Sequence, residues 1–422
     1  MILLQSTFNP AVVITSIVVF LSVVLLLVVI LLYVKKKLTP SGTVKININD
    51  GYLELETEPG NTLLTTLGNN KILLPSACGG GGTCGMCRCQ IEDGGGSILP
   101  TETGFFTRKE QNNNWRLACQ VKVKENLKID IHQEILGVKK WECTVVSNNN
   151  VSTYIKEFVV KLPEGETLDF KSGGYIQIDV PKIDVDFKDM DVDPKFREEW
   201  ERFGIFNLQM KNPEPTFRAY SMANHPAEGN IVMLNIRIAT PPWDRANNAF
   251  KKVNPGICSS YIFSRKPGDK VMISGPFGEF FLKKNDNEMM FIGGGAGMAP
   301  MRSHLFHLFH TVKETKKNVT FWYGARSWKE VFYYDQFREI EKNFPNFKFN
   351  LALSEPLPED KWEGPVGFIH QVIFDNYLNK HEEPEEIDYY LCGPPMMNDA
   401  VQKMLYNLGV PNENVLFDDF GS

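Results

Sequence analysis

Cys78, Cys84 and Cys87 lie in one glycine-rich run, "PSACGGGGTCGMCRC" (75–89), with the spacing C-x5-C-x2-C, and Cys119 follows in "RLACQ". Thiols placed this way hold zinc, wrap an iron–sulfur cluster or close disulfides. Structural zinc usually draws its cysteines in two close pairs, whereas the fourth cysteine here stands alone. Eight cysteines in 422 residues are too few for a disulfide scaffold, and five of them lie between Cys78 and Cys119. Three ligands on one loop plus one distant ligand is the plan that wraps a [2Fe–2S] cluster. The glycines suit it, because the loop must pass close to the sulfurs, adopt positive φ and present N–H donors. Cys89 points away from Cys87 if "CRC" is extended, which makes it a bystander.

Three further constellations bind groups rather than metals. "RAYS" ends a strand pattern, and "NPGICSSYI" (254–262) lies about forty residues on. Together they suit a flavin. Arg218 can pair with pyrophosphate bidentately, Tyr220 can stack on the ring system and Ser221 can hydrogen-bond near its reactive nitrogen. Backbone N–H groups from Gly256 to Ser260 can hold phosphate at a helix start. Cys258, like Cys143, reads as a small buried hydrophobe. "FIGGGAGMAP" (291–300) follows an apolar strand and precedes a helix. Its Gly295-x-Gly297-x-x-Pro300 fails the strict dinucleotide fingerprint yet keeps the strand–glycine loop–helix context of a pyrophosphate site. "FWYGAR" (321–326) and "LCGPPMM" (391–397) end two later strands, where a doubly wound sheet binds its ligand. His304, His307 and His310 in "HLFHLFH" read as a packed or half-exposed helix face. No Ser/His/Asp set or carboxylate pair calls for hydrolysis.

The elements that must position these residues fall into four segments. Ala11–Val34 holds 24 residues without a charged side chain, with Lys35, Lys36 and Lys37 directly after it and no Lys or Arg before it. As a helix it spans about 36 Å, long enough for a bilayer. The expected anchor is 1–38, single-pass with the N-terminus outside and the rest cytoplasmic. Residues 39–135 form a small domain: a hairpin around Asn-Asp-Gly (44–56), a helix over 61–68, the cysteine loop and a closing strand at 127–131. Residues 138–283 carry short strands without long helices, the pattern of an antiparallel barrel. They are interrupted at 182–215 by the acidic run "DVDFKDMDVD" and "PKFREEWERFG". The run lacks the Gly and closing Glu of a calcium loop and reads as a solvated insertion with a surface helix. Residues 284–422 alternate strands and helices, as a doubly wound parallel sheet does.

A net charge of −6 argues against nucleic acid as a partner, and 43% hydrophobic with 23% charged residues is a globular composition.

In their order, R-x-Y-S, G-x-x-x-S, G-x-G-x-x-P, Y-G-A-R and C-G-P-P, the motifs of 138–422 resemble the ferredoxin–NADP reductase superfamily. The cysteine loop is similar to that of plant-type ferredoxins, which space the first pair C-x4-C. With its anchor, the whole chain resembles the F-subunit family of Na+-translocating NADH:quinone reductases. The resemblance implies a transmembrane helix, a β-grasp [2Fe–2S] domain, an antiparallel FAD barrel and a Rossmann-like NAD domain. It implies cluster ligation by Cys78, Cys84, Cys87 and Cys119. FAD would be held by Arg218, Tyr220, Ser221, Gly256, Cys258, Ser259 and Ser260. NADH would be held by Gly295, Gly297, Pro300, Gly324, Arg326, Cys392, Gly393 and Pro394. Tyr220, Ser221, Cys392 and Phe420 in "FDDFGS" would surround the reacting centre, with Phe420 covering the flavin face. It also implies the bacterial inner membrane, partner membrane subunits and quinone as terminal acceptor. Glu330 offers a partner for a ribose 2′-hydroxyl, while Arg326 and Lys329 could serve a 2′-phosphate, so spacing leaves NADH against NADPH open. The reductase component of an oxygenase shares the three modules but is normally soluble, and a membrane-tethered redox sensor would not need the full cofactor set.

Overall fold

The computed structural model describes residues 10–38 and 42–418. They fall into two units, 1–74 with 87–135 and 75–86 with 136–422. The first unit opens with helix α1 (Pro10–Leu38), 29 residues and about 44 Å long. It is the one helix among the described residues long and apolar enough to cross a membrane. Its large side chains from Val13 to Val34 are exposed. The hydroxyls of Thr15 and Ser22 donate to Ala11 O and Val18 O, each at 2.8 Å. The helix thus satisfies its own polar groups, as an apolar solvent demands.

The same unit continues with β1 (Val44–Ile48) and β2 (Leu53–Thr57), paired antiparallel with Ile48 opposite Leu53. Their turn holds Asn49, Asp50 and Gly51 at φ of 51°, 54° and 89°, conformations these residue types tolerate. Then come α2 (Leu63–Asn69), β3 (Arg88–Asp93), α3 (Arg108–Asn112), β4 (Trp115–Leu117) and β5 (Leu127–Asp130). The sheet order is β2-β1-β5-β3-β4, with β1 parallel to β5 and the other pairs antiparallel, a β-grasp. Helix α2 is capped by Thr62, whose hydroxyl accepts from Thr65 N, and it runs past Gly68 to Asn69. The buried Glu102 accepts from Leu99 N, Leu117 N and Arg116, whose guanidinium also donates to Gly95 O and Gly96 O. Each charge is therefore paired and hydrogen-bonded, the condition for burying it. The network pins the loop before α3 to β4, two residues short of Cys119.

The second unit begins with a barrel. Its elements are β6 (Lys139–Ser152), β7 (Ile155–Lys161), β8 (Tyr175–Val180), β9 (Ile183–Asp186), α4 (Pro194–Arg202), β10 (Gln209–Asn212), β11 (Thr216–Ser221), β12 (Ile231–Arg237), β13 (Trp243–Asp244), β14 (Ala249–Phe250), α5 (Ile257–Phe263) and β15 (Lys270–Phe277). Six strands pair antiparallel in the order β11-β8-β15-β6-β7-β12. A bridge from Met222 to Leu234 joins the two edges.

The insertion corrects an expectation. It is not a solvated excursion: Val185, Phe187, Met190, Val192, Phe196, Trp200, Ile205 and Met210 are all in the barrel core. Strand β9 pairs with β10 and turns its acids outward, while α4 buries Phe196 and Trp200. Burying such side chains contributes about 1.5–3 kcal/mol each, more than the acidic run costs by staying in water. Lys156, fully buried, reinforces the seam by donating to Asn148 O and Asp191 O at 3.0 and 2.6 Å.

The chain ends in β16 (Met289–Gly294), α6 (Met298–Phe306), β17 (Val319–Ala325), α7 (Tyr334–Asn343), β18 (Phe347–Leu353), α8 (Ile369–Asn376), β19 (Asp388–Cys392), α9 (Pro395–Asn407) and β20 (Val415–Asp418). All five strands are parallel, in the order β18-β17-β16-β19-β20. The order reverses between β16 and β19, which makes their carboxyl ends the ligand crevice of such a sheet.

His304 lies on α6, fully buried among Phe280, Phe291 and Tyr390. Burial pushes its pKa down to about 3, so it stays neutral in the fold. The unfolded chain binds its proton below about pH 6.5. Stability is therefore complete above that pH and falls by about 1.4 kcal/mol per unit as pH drops toward 3. Chemical denaturation should show a loss of about 2 kcal/mol between pH 7 and 5 that is missing in His304→Leu.

Candidate functional site

Segment 75–86 belongs to the second unit, and its residues are described there. Cys84 Sγ lies 3.4 Å from Cys78 Sγ. Two thiolates about 2.3 Å from one tetrahedral metal would lie roughly 3.7 Å apart, so this pair fits a shared iron. The Cys78 thiol is held far below its ordinary pKa by the Cys84 hydrogen bond, and the Thr83, Cys84 and Gly80 amides add to it against the opposing burial. Amides converging on a thiolate are what a cluster loop supplies. Gly79, Gly80, Gly82 and Gly85 have φ between 66° and 91°, so the glycines do adopt the left-handed backbone the wrap needs. A Cβ on Gly79 would fall 2.5 Å from Phe217 O and against the Arg218 guanidinium.

In the first unit Cys87 and Cys119 are both buried, and Ala118 N donates to Cys87 O at 2.8 Å. That bond sets Cys87 beside the turn carrying Cys119, whose Sγ accepts from Gln120 Nε2 at 3.6 Å. Cys89 lies in β3, fully buried, with its thiol on Arg116 O and its pKa pushed up to about 12 by burial. A thiol held protonated this way is no ligand.

Arg218, Tyr220 and Ser221 sit at the end of β11. The Arg218 guanidinium donates to Phe217 O at 2.7 Å and Thr216 Oγ1 at 3.2 Å. Among the described residues no carboxylate forms an ion pair with it, which fits a phosphate site. Tyr220 leaves part of its ring exposed, and its hydroxyl pairs with Cys258, a thiol pushed up to about 12 by burial. Cys258 is thus a strut under the ring. Ser259 and Ser260 turn their hydroxyls onto Gly256 O at 3.2 and 2.7 Å, tying the loop instead of facing outward. A Cβ on Gly256 would lie 2.5 Å from that of Ala239, so only glycine fits there.

The loops after β16 and β19 interlock. A Cβ on Gly297 would lie 2.1 Å from Cys392 O and 2.6 Å from Gly393 N. One on Gly294 would meet Gly324 O at 3.0 Å and Met397 Sδ at 3.1 Å. Gly295 has φ of 57°. Pro300 is buried in the first turn of α6, where its missing N–H has no intrahelical partner to lose. Pro394 precedes α9 as its cap, and Pro395 opens the helix. Cys392 is fully buried in the core of this sheet, behind the loop rather than at its surface. Gly295, Gly297, Gly324 and Gly393 stand at the carboxyl ends of β16, β17 and β19, the crevice where such a sheet binds its ligand, and Gly297 and Gly393 pack backbone to backbone there. Arg326 lies at its margin, paired with Glu199 at 3.1 Å.

Two contacts that sequence reading missed fix this crevice against the barrel. The Ser221 hydroxyl donates to Asp418 Oδ2 at 2.5 Å, across 197 positions. Arg302 donates to both carboxylate oxygens of Glu228 at 2.9 and 2.7 Å and to Ala223 O at 2.9 Å. Burial alone would raise the Glu228 pKa, but its bonds to His225 and Arg302 hold it at about 2. Nothing local in the sequence marks Asp418 as the partner of Ser221. Phe420 lies outside the described residues.

Three family models match the chain. A 2Fe-2S iron-sulfur cluster binding domain matches residues 46–124, an oxidoreductase FAD-binding domain 204–282 and an oxidoreductase NAD-binding domain 291–403. Two solved structures share the fold. The Amycolatopsis cytochrome P450 reductase GcoB is 20% identical with a TM-score of 0.60, covering 90% of this chain and 99% of that one. The ferredoxin reductase in carbazole 1,9a-dioxygenase is 24% identical with a TM-score of 0.57, covering 90% and 98%. Closer in sequence are the F subunits of the Na(+)-translocating NADH-quinone reductases of Methylococcus capsulatus and Klebsiella pneumoniae. Each is 53% identical over 92% of this chain and 94% of its own length. Likeness of that depth, end to end across three cofactor domains, means that the chain belongs to the F-subunit family of Na(+)-translocating NADH-quinone reductases.

Proposed function

We infer that this chain is the electron-entry subunit of a membrane Na+-translocating NADH:quinone reductase, oxidising NADH and passing electrons toward partner subunits and quinone. The carrying observation is the Ser221–Asp418 bond, which joins the flavin strand β11 to the last strand of the nucleotide sheet. When bound, FAD accepts both electrons of a hydride from NADH and releases them singly, and a [2Fe–2S] cluster carries one at a time. Arg218 binds the flavin pyrophosphate, the loop from Gly256 to Ser260 approaches it with backbone, and Tyr220 braced by Cys258 orients the ring. Ser221, its hydroxyl donating to Asp418, would lie beside the flavin's reacting nitrogen with its oxygen free only to accept. The bare backbone at Gly295, Gly297, Gly324 and Gly393 admits the NADH pyrophosphate, while Pro300 and Pro394 fix the helices behind it. Cys392 lies buried behind that crevice, and the cover that the resemblance assigns to Phe420 belongs to a residue outside those described. Cys78, Cys84, Cys87 and Cys119 are the residues that would hold the cluster, and the amides around Cys78 would stabilise its thiolate charge.

The apolar span followed by Lys35–Lys37 supports a bacterial inner-membrane anchor with the cofactor domains in the cytoplasm. Between Ala11 and Val34 it has no ionisable side chain apart from the interfacial Tyr33, so it offers no ion path of its own and leaves translocation to partner subunits. The detergent-solubilised full chain should hold one FAD and two irons, and anaerobic NADH should bleach the flavin absorbance. Zinc in place of iron, or absence of flavin, overturns the reading.

A further inference from the structure

The three charged residues just past β17 are all engaged from the barrel side of the second unit. Arg326 Nη2 pairs with Glu199 Oε1 at 3.1 Å. Lys329 Nζ lies 5.8 Å from the ring centre of Phe196. Glu330 accepts from Thr153 N at 3.1 Å and from the Thr153 hydroxyl. Glu199 and Phe196 both belong to α4, the helix of the insertion. That helix is fixed by Trp200, fully buried, whose indole donates to Thr153 O at 2.8 Å. Glu199 is held further by the Tyr154 hydroxyl, which donates to Oε2 at 2.8 Å. The Glu199 side chain is 16% exposed and that of Arg326 50%, so the carboxylate is held against the barrel while the guanidinium stays half in solvent.

Doubly wound dinucleotide sites discriminate at this position: an acid bonds the ribose 2′-hydroxyl, and an arginine accommodates a 2′-phosphate. Both residue types are present here, and both are already occupied. Each carboxylate oxygen of Glu330 already accepts from Thr153, which turns this acid toward the barrel. Arg326 has its charge cancelled by Glu199. We propose that Glu199 is a specificity-determining residue that favours NADH over NADPH by exclusion, holding Arg326 in an ion pair so that a 2′-phosphate arriving there meets no net positive charge. The insertion is then a selectivity element supplied by the flavin barrel to the nucleotide sheet. The proposal rests on the assignment of Gly324–Arg326 to the NADH site.

The test uses the full chain with FAD bound and two probes, 2′,5′-ADP and ADP, titrated by calorimetry. Glu199→Gln keeps an acceptor for Tyr154 but removes the charge. It should lower the ratio of the 2′,5′-ADP to ADP dissociation constants about tenfold and raise the NADPH to NADH ratio of kcat/KM by a similar factor, equivalent to about 1.4 kcal/mol. Salt supplies a sign that needs no variant. In the wild type, added potassium chloride should leave 2′,5′-ADP binding relative to ADP flat, because the Glu199–Arg326 pair carries no net charge to screen. In Glu199→Gln it should weaken that binding, because it screens an attraction to Arg326. An unchanged ratio in the variant, or steep weakening by salt in the wild type, overturns the role of Glu199 alone. Failure of ADP itself to compete with NADH removes the nucleotide site and the proposal with it.

Discussion

Cys119→Ala should erase the visible absorption of the iron–sulfur cluster and lower quinone reduction more than about 100-fold, while NADH still bleaches the flavin. The size follows from the ligand role proposed for the residue: removing even an outer-shell partner of a metal ligand costs about 10–100-fold, and loss of a ligand costs more. The separation of effects follows from sequence and fold. Cys119 sits in the β-grasp unit behind β4, pinned by the buried Glu102–Arg116 network. The groups proposed to face NADH lie in the other unit. Iron content, the reduced-state electron paramagnetic resonance signal and anaerobic NADH titration together decide it. Loss of flavin bleaching along with the cluster would contradict the modular electron path. Cys89→Ala is the control, since its thiol is buried on Arg116 O and should be replaceable with iron retained.

The second large effect belongs to Gly297→Ala. The added methyl would stand 2.1 Å from Cys392 O and 2.3 Å from its carbonyl carbon, both rigid backbone. No side chain can swing aside there, so the loop after β16 must separate from the loop after β19. A shift near 1 Å in a group that aligns two reactants costs about 100-fold. The kcat/KM for NADH should fall by about that factor, while flavin and iron contents stay at wild-type levels. Stopped-flow flavin reduction measures the first and cofactor analysis the second. A variant reducing flavin at the wild-type rate would show that the two loops do not form the NADH crevice.

Much of this arrangement could be read in the chain because local signals and fold agree. Asn49, Asp50 and Gly51 can take the left-handed backbone that a tight hairpin needs, and they do. Each glycine loop of the nucleotide sheet follows an apolar run that became a buried parallel strand, so the ligand end was marked three times over. The insertion misled because its acids dominate the composition. Yet Val185 and Phe187 alternate with them at the period of a half-buried strand, and Phe196 and Trp200 stand four apart on one helix face. Charge measured what faces water, whereas spacing measured what faces the core. The partnerships of Ser221 with Asp418 and Glu199 with Arg326 were illegible for another reason. No local rule links positions 197 and 127 apart, and only tertiary packing brings them together.

The membrane helix has a kinetic consequence. It ends at Leu38 and the β-grasp sheet begins at Val44, with five residues between them. So short a connection reaches at most roughly 20 Å, however it is arranged. Any acceptor held in the bilayer beside α1 therefore meets the cluster domain as a tethered neighbour, at an effective concentration on the order of millimolar. Releasing the domains from α1 would turn that encounter into a search through bulk solvent, with turnover that rises and falls with protein concentration.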